Sequence, residues 1–115
     1  VRSGTYANTN FGTDPTMIVK SDLGNYARKA YVKFSFSRFL EPSASNAKMR
    51  IYVDSIGADS PRTIKIYGTS DESWTETGIT WNNAPAGAAW KEIDVTSYVN
   101  SNMSDKIVSF LLYLF

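Results

Sequence analysis

Residues Arg28–Ser37 read RKAYVKFSFS and alternate throughout. Ala30, Val32, Phe34 and Phe36 face one way, while Lys29, Tyr31, Lys33 and Ser35 face the other. That is the period of a β-strand with one buried face. The pattern recurs in Lys48–Asp54 (KMRIYVD), with Met49, Ile51 and Val53 inward and Lys48, Arg50, Tyr52 and Asp54 outward. It recurs again in Thr63–Tyr67 (TIKIY), with Ile64 and Ile66 inward and Lys65 and Tyr67 outward. Met17–Lys20 and Lys91–Val95 are shorter strand candidates. Ile107–Tyr113 is almost wholly apolar and reads as a central strand buried on both faces.

Turn chemistry separates these runs at Asn10-Phe11-Gly12, Leu23-Gly24-Asn25, Glu41-Pro42-Ser43, Asp59-Ser60-Pro61 and Asn82-Asn83-Ala84-Pro85. One helix is expected, a single turn over Thr96–Asn100 whose free amides Asp94 or Thr96 can cap. At least six short strands with almost no helix predict an all-β chain, an antiparallel, jelly-roll-like β-sandwich.

The 115 residues are expected to form a single module, residues 1–115, large enough for a core. An apolar fraction of 43% with 14% aromatics is that of a globular protein. No apolar run approaches the roughly 18 residues that span a bilayer, so no membrane partner is expected. The opening at Val1, without a signal peptide, suggests an excised module. Without cysteine there is no disulfide or thiolate chemistry, and without histidine the commonest general base and zinc ligand are absent.

The net charge of +1 gives no reason to expect nucleic acid. Its distribution says more. Lys20, Arg28, Lys29, Lys33, Lys48, Arg50, Lys65 and Lys91 fall in the expected strands, whereas most acids fall in turns. Alternation gives Lys29, Lys33, Lys48, Arg50 and Lys65 the outward parity of Tyr31, Tyr52 and Tyr67. If their strands are neighbours, one sheet face is basic and interleaved with tyrosines. Such a face is either ordinary solvated surface or a platform for an acidic polymer. Exposed ion pairs give roughly 0.2–1 kcal/mol each. Four to six of them total about 4 kcal/mol, a dissociation constant on the order of 1 mM. Binding would be weak and sensitive to salt.

The stretches YVKFSFS (Tyr31–Ser37), SWTETGITWNNAP (Ser73–Pro85) and DVTSYV (Asp94–Val99), with the opening VRSGTYANTNFGT, resemble the disaggregatase-related repeat (DNRLRE) domains, carbohydrate-binding module family 96. The resemblance covers most of the chain, with its motifs in order. It implies a secreted or cell-surface β-sandwich module joined to a polysaccharide-active catalytic domain, with alginate as ligand. Two departures stand out. Members usually carry more residues between the NNAP turn and the Trp-x-x-x-Asp-Val-Thr strand than Ala86–Ala89, and they typically add a strand after Leu114-Phe115.

The ligand-binding candidates are Lys29, Tyr31, Lys33, Lys48, Arg50, Tyr52 and Lys65, with Arg2, Lys20 and Arg28 secondary. Arg28 either bridges to Glu76 or lies at the ligand rim; Arg2 and Lys20 are either rim contacts or solvated surface. Trp74 and Trp81 are expected to plug the sandwich rather than stack on sugar. No catalytic residue is expected. Glu72 and Glu76 are four apart in one turn-rich segment, whereas a glycosidase pair faces across a cleft. No cofactor is required. A calcium ion on the TYANTNFG amides and carbonyls is the alternative to a plain surface loop. The competing function is a structural or adhesive surface domain without glycan specificity.

Overall fold

A computed structural model describes residues 1–57, 63–69, 71–85 and 95–114. Three strands, β1 (Ala30–Ser35), β2 (Ile64–Thr69) and β3 (Ile107–Leu114), form one antiparallel sheet in the order β1-β3-β2. The fold is all-β, small and β-sandwich-like, with one short α-helix among the described residues, α1 (Val95–Ser101).

β3 takes the centre because its sequence, IVSFLLYL, tolerates burial on both faces. Val108 through Leu112 are all buried, and Ser109, fully enclosed, is the polar exception. Residues opposite one another in register share a face. Ala30, Val32 and Phe34 therefore share one face with Leu112, Phe110 and Val108, while Tyr31 and Lys33 share the other with Leu111 and Ser109. On the far side of β3, Tyr67 and Thr69 lie opposite those same two residues.

The first face carries the core of Ala30, Val108, Phe110 and Leu112, over which Val95, Tyr98, Val99, Val19 and Met49 pack. Tyr98 meets Phe110 edge-on at 5.4 Å. Its hydroxyl reaches the carbonyls of Thr69 (2.9 Å) and Ser109 (3.1 Å). Valine, threonine, serine and asparagine are mediocre helix formers, so α1 depends on such packing. Thr96 and Asn100, one helical turn apart, both hold the 44–47 segment. Asn100 Oδ1 accepts from the Ala44 amide at 2.7 Å, and Thr96 Oγ1 from the Ala47 amide at 2.9 Å.

The second face is covered by residues 71–85, which carry Trp74 and Trp81. Ile79 is buried there. The N-terminal loop pins this segment: Asn10 Nδ2 donates to the carbonyls of Glu76 (2.8 Å) and Ile79 (2.7 Å), and Asn82 donates to Asn8 and Ala7. Gly12 passes so close to Glu76 that a Cβ would lie 2.1 Å from its carbonyl oxygen.

Several expectations are corrected. The described residues hold three strands rather than six. Lys48–Asp54 alternates in sequence but pairs with no strand among them, because alternation specifies faces and not a partner; Met49 reaches the core, yet Tyr52 is 89% exposed. Met17–Lys20 contributes only the bridge from Lys20 to Arg28. The Thr96 hydroxyl serves Ala47 rather than the helix's own amides. The Lys91–Val95 strand up to residue 94, the Asp94 cap, the Asp59-Ser60-Pro61 turn and the Ala86–Trp90 spacing lie outside the described residues.

Candidate functional site

On the covered face, each basic strand residue meets a different fate. Lys33 turns under the 71–85 segment. Its ammonium donates to the carbonyls of Glu72 and Trp74, each at 2.6 Å, and stands 3.8 Å from Glu72 Oε2. Ser109, directly opposite Lys33, donates its hydroxyl to that same carboxylate oxygen. Glu72 is therefore committed to the sheet, while Glu76 lines a cleft elsewhere, so the two carboxylates do not face each other. Lys33 was expected on an open platform; it lies beneath a chain segment that strand parity cannot reveal.

Lys29, just before β1, is half-buried. Its ammonium sits 4.7 Å from the Trp81 ring and 5.3 Å from the Tyr113 ring. Partial burial holds its pKa below the ordinary lysine value. Tyr113 is in turn the register partner of Lys65. Lys29, Tyr113 and Lys65 thus make a cross-strand row by register, with the Lys29 ammonium beside the Tyr113 ring. Sequence reading missed Tyr113, since only the register of β3 places it between lysines of β1's approach and β2.

Tyr31 meets Trp74 edge-on at 6.0 Å, and its hydroxyl donates to the Pro85 carbonyl at 3.2 Å. Desolvation pushes its phenol up to about 12. Trp74 is half-buried, with the Lys33 ammonium 4.5 Å from its ring and its Nε1 enclosed. Beside Tyr31 and Trp74 opens a cleft of about 170 Å³ whose charged lining is Arg2, Asp14, Lys29 and Glu76. Arg2 is held in place by Asp14 (2.9 Å) and by stacking on Phe11 (3.8 Å to the ring centre).

Arg28 makes no ion pair with Glu76 among the described residues. It lies instead between two neighbouring segments, bridged to Lys20 on one side and to Arg2 on the other. Lys20 and Arg28 exchange both backbone hydrogen bonds (3.0 and 2.9 Å). The bonds from Ser3 to Ala27 and from Lys29 to Val1 flank the Arg2–Arg28 pair. Lys20 forms an ion pair with Asp22 at 3.0 Å.

Lys48 and Arg50 lie on the helix side, along an apolar groove with Phe34, Phe36 and Val99. The expectation that they share a face with Lys29 and Lys33 is therefore corrected, and Tyr52 is exposed on a segment that pairs with no strand among the described residues. The Asn8 and Asn10 amides of the TYANTNFG loop engage residues 76–82, and among the described residues no group of three or more His, Cys, Asp or Glu could hold a metal ion. No helix among them is long and apolar enough to cross a membrane.

The arrangement offers cations beside aromatic rings on a partly covered sheet face, a pairing suited to an anionic, ring-bearing ligand. No curated protein matches the sequence. The family model described as carbohydrate-binding module family 96 matches residues 1–114. With the match extending over nearly the whole sequence, the chain belongs to carbohydrate-binding module family 96.

Proposed function

We propose that this carbohydrate-binding module recognises an acidic polysaccharide, a polyuronate such as alginate, without acting on it. In the full-length, secreted or surface-bound protein it holds an appended lyase or hydrolase against that polymer. The observation that carries this reading is the row Lys29–Tyr113–Lys65. A uronate has an apolar ring face for the phenol and a carboxylate for an ammonium on either side. Tyr31 and Arg2 extend the contact into the adjoining cleft. Lys33 is assigned to holding the 71–85 segment, and Lys48, Arg50 and Tyr52 take no part at this surface. Each contact is weak, and repeated engagement along the polymer raises the apparent affinity.

Affinity electrophoresis through alginate, polygalacturonate and a neutral glucan tests the proposal. Retardation is expected only in the acidic gels, fading as salt screens the ion pairs, and is expected to weaken in Lys65→Gln. Equal mobility in all three gels would refute it and favour a structural or adhesive surface domain. Unsaturated product appearing when the isolated module is incubated with alginate would refute the non-catalytic assignment.

A further inference from the structure

Two carboxylates line the cleft beside Tyr31 and Trp74, and they differ in what they hold. Asp14 is committed to Arg2, whose guanidinium it meets at 2.9 Å. The Glu76 carboxylate makes no hydrogen bond or ion pair among the described residues. Its backbone is nonetheless fixed. Asn10 Nδ2 donates to the Glu76 carbonyl at 2.8 Å, and a Cβ on Gly12 would come within 3.0 Å of Glu76 Cγ. An uncommitted acceptor is thus held at a set position in the cleft that also receives Lys29.

We infer that Glu76 is the hydroxyl acceptor of this module. It takes hydrogen bonds from the C2 and C3 hydroxyls of the uronate ring in the cleft, and so restricts the ligand to polyuronates unsubstituted at those oxygens. The inference rests on the polyuronate reading above. An ionised carboxylate only accepts, and its two oxygens match two adjacent hydroxyl donors. A 1,4-linked uronate carries its carboxylate on C5 and its free hydroxyls on C2 and C3, at the opposite edge of the ring. A ring whose carboxylate meets Lys29 leaves those hydroxyls for another group, and Glu76 is the carboxylate of the same cleft not already paired. A reversed ring would set carboxylate against carboxylate, so Glu76 also selects which edge enters. At about 170 Å³ the cleft has room for one sugar ring rather than several. An O-acetyl group there removes a donor and adds bulk.

Calorimetry with a hexauronate from alginate, and with the same oligomer acetylated at the C2 and C3 oxygens, tests the site. The unsubstituted chain is expected to bind the plain oligomer about tenfold tighter, the equivalent of one charge-assisted hydrogen bond. Glu76→Gln is expected to weaken the plain oligomer by about the same factor and to lose most of the discrimination. Lys65→Gln is expected to weaken both oligomers and preserve their ratio. A surface acid that merely lies near an anionic ligand predicts the opposite sign: neutralising it would tighten binding, most of all at low salt.

Thermal unfolding without ligand separates a binding role from a structural one. The Glu76 carboxylate has no partner to lose among the described residues, so the Tm of Glu76→Gln is expected to match that of the parent. A markedly lower Tm, unchanged or tighter binding in Glu76→Gln, or equal binding of the two oligomers by the parent overturns the hydroxyl site and leaves the polyuronate reading intact. Failure of the unsubstituted chain to bind either oligomer overturns both.

Discussion

The Lys33 ammonium stands 3.8 Å from the Glu72 carboxylate and donates to the Glu72 carbonyl at 2.6 Å, so one side chain holds both ends of the same residue. A second donation to Trp74 fixes the start of the segment that bears Trp74 and Trp81. The lysine acts as a clamp between β1 and its covering segment.

Lys33→Met is accordingly expected to lower stability by about 1–3 kcal/mol, because carbonyls and a carboxylate lose a buried donor. Retardation in alginate at temperatures where the variant stays folded is expected to match the parent. Loss of retardation with unchanged stability would show that Lys33 faces ligand.

Tyr98→Phe removes the hydroxyl that joins α1 to the carbonyls of Thr69 and Ser109, which are opposed across β2 and β3. Destabilisation of about 1–2 kcal/mol is expected, measured as a shift in the urea midpoint with little change in slope.

At Gly12, alanine would drive a Cβ against the Glu76 carbonyl. The expected loss is about 1–3 kcal/mol as the loop backs away. Phe11 and Asp14, which position Arg2, move with that loop. Uronate affinity is therefore expected to fall along with the Tm, whereas Tyr98→Phe should leave affinity alone.

Alkaline pH gives a further check. Burial raises the Tyr31 phenol from 10.0 to about 12, and burial also raises Tyr98. From about pH 10 to 12 the unfolded chain has lost the Tyr31 proton that the folded chain retains. Its contribution, complete below pH 10, therefore declines across that window. Lys29, lowered by burial, has the opposite sign. The unfolded chain holds its proton longer, so stability gains as pH rises from the folded value toward 10.5. Urea midpoints followed upward from about pH 9 are expected to fall less steeply in Tyr31→Phe. In the parent, uronate binding is expected to weaken at a lower pH than an ordinary lysine would dictate.

Much of the sheet was legible in the sequence because alternation reports faces directly. Arg28–Ser37 contains β1, Thr63–Tyr67 overlaps β2, and the unbroken apolar run at Ile107–Tyr113 marks the central strand. The helix expected over Thr96–Asn100 extends by one residue at each end. What alternation could not reveal was which segment covers which face. That depends on contacts between residues far apart in sequence, such as Asn10 with Ile79 and Lys33 with Trp74. The same blindness hid the site. Tyr113 reads as part of an apolar strand until register sets it beside Lys65.

The strand order β1-β3-β2 has a consequence for synthesis. β1 and β2 are not neighbours, and among the described residues each pairs with β3, which is made later. While the chain emerges from the ribosome, both wait with open edges, and the sheet closes in one step when Ile107–Leu114 arrives between them. Such long-range closure is slow and leaves apolar edges exposed to other chains. Recovery of soluble module is therefore set by how quickly β3 finds its slot.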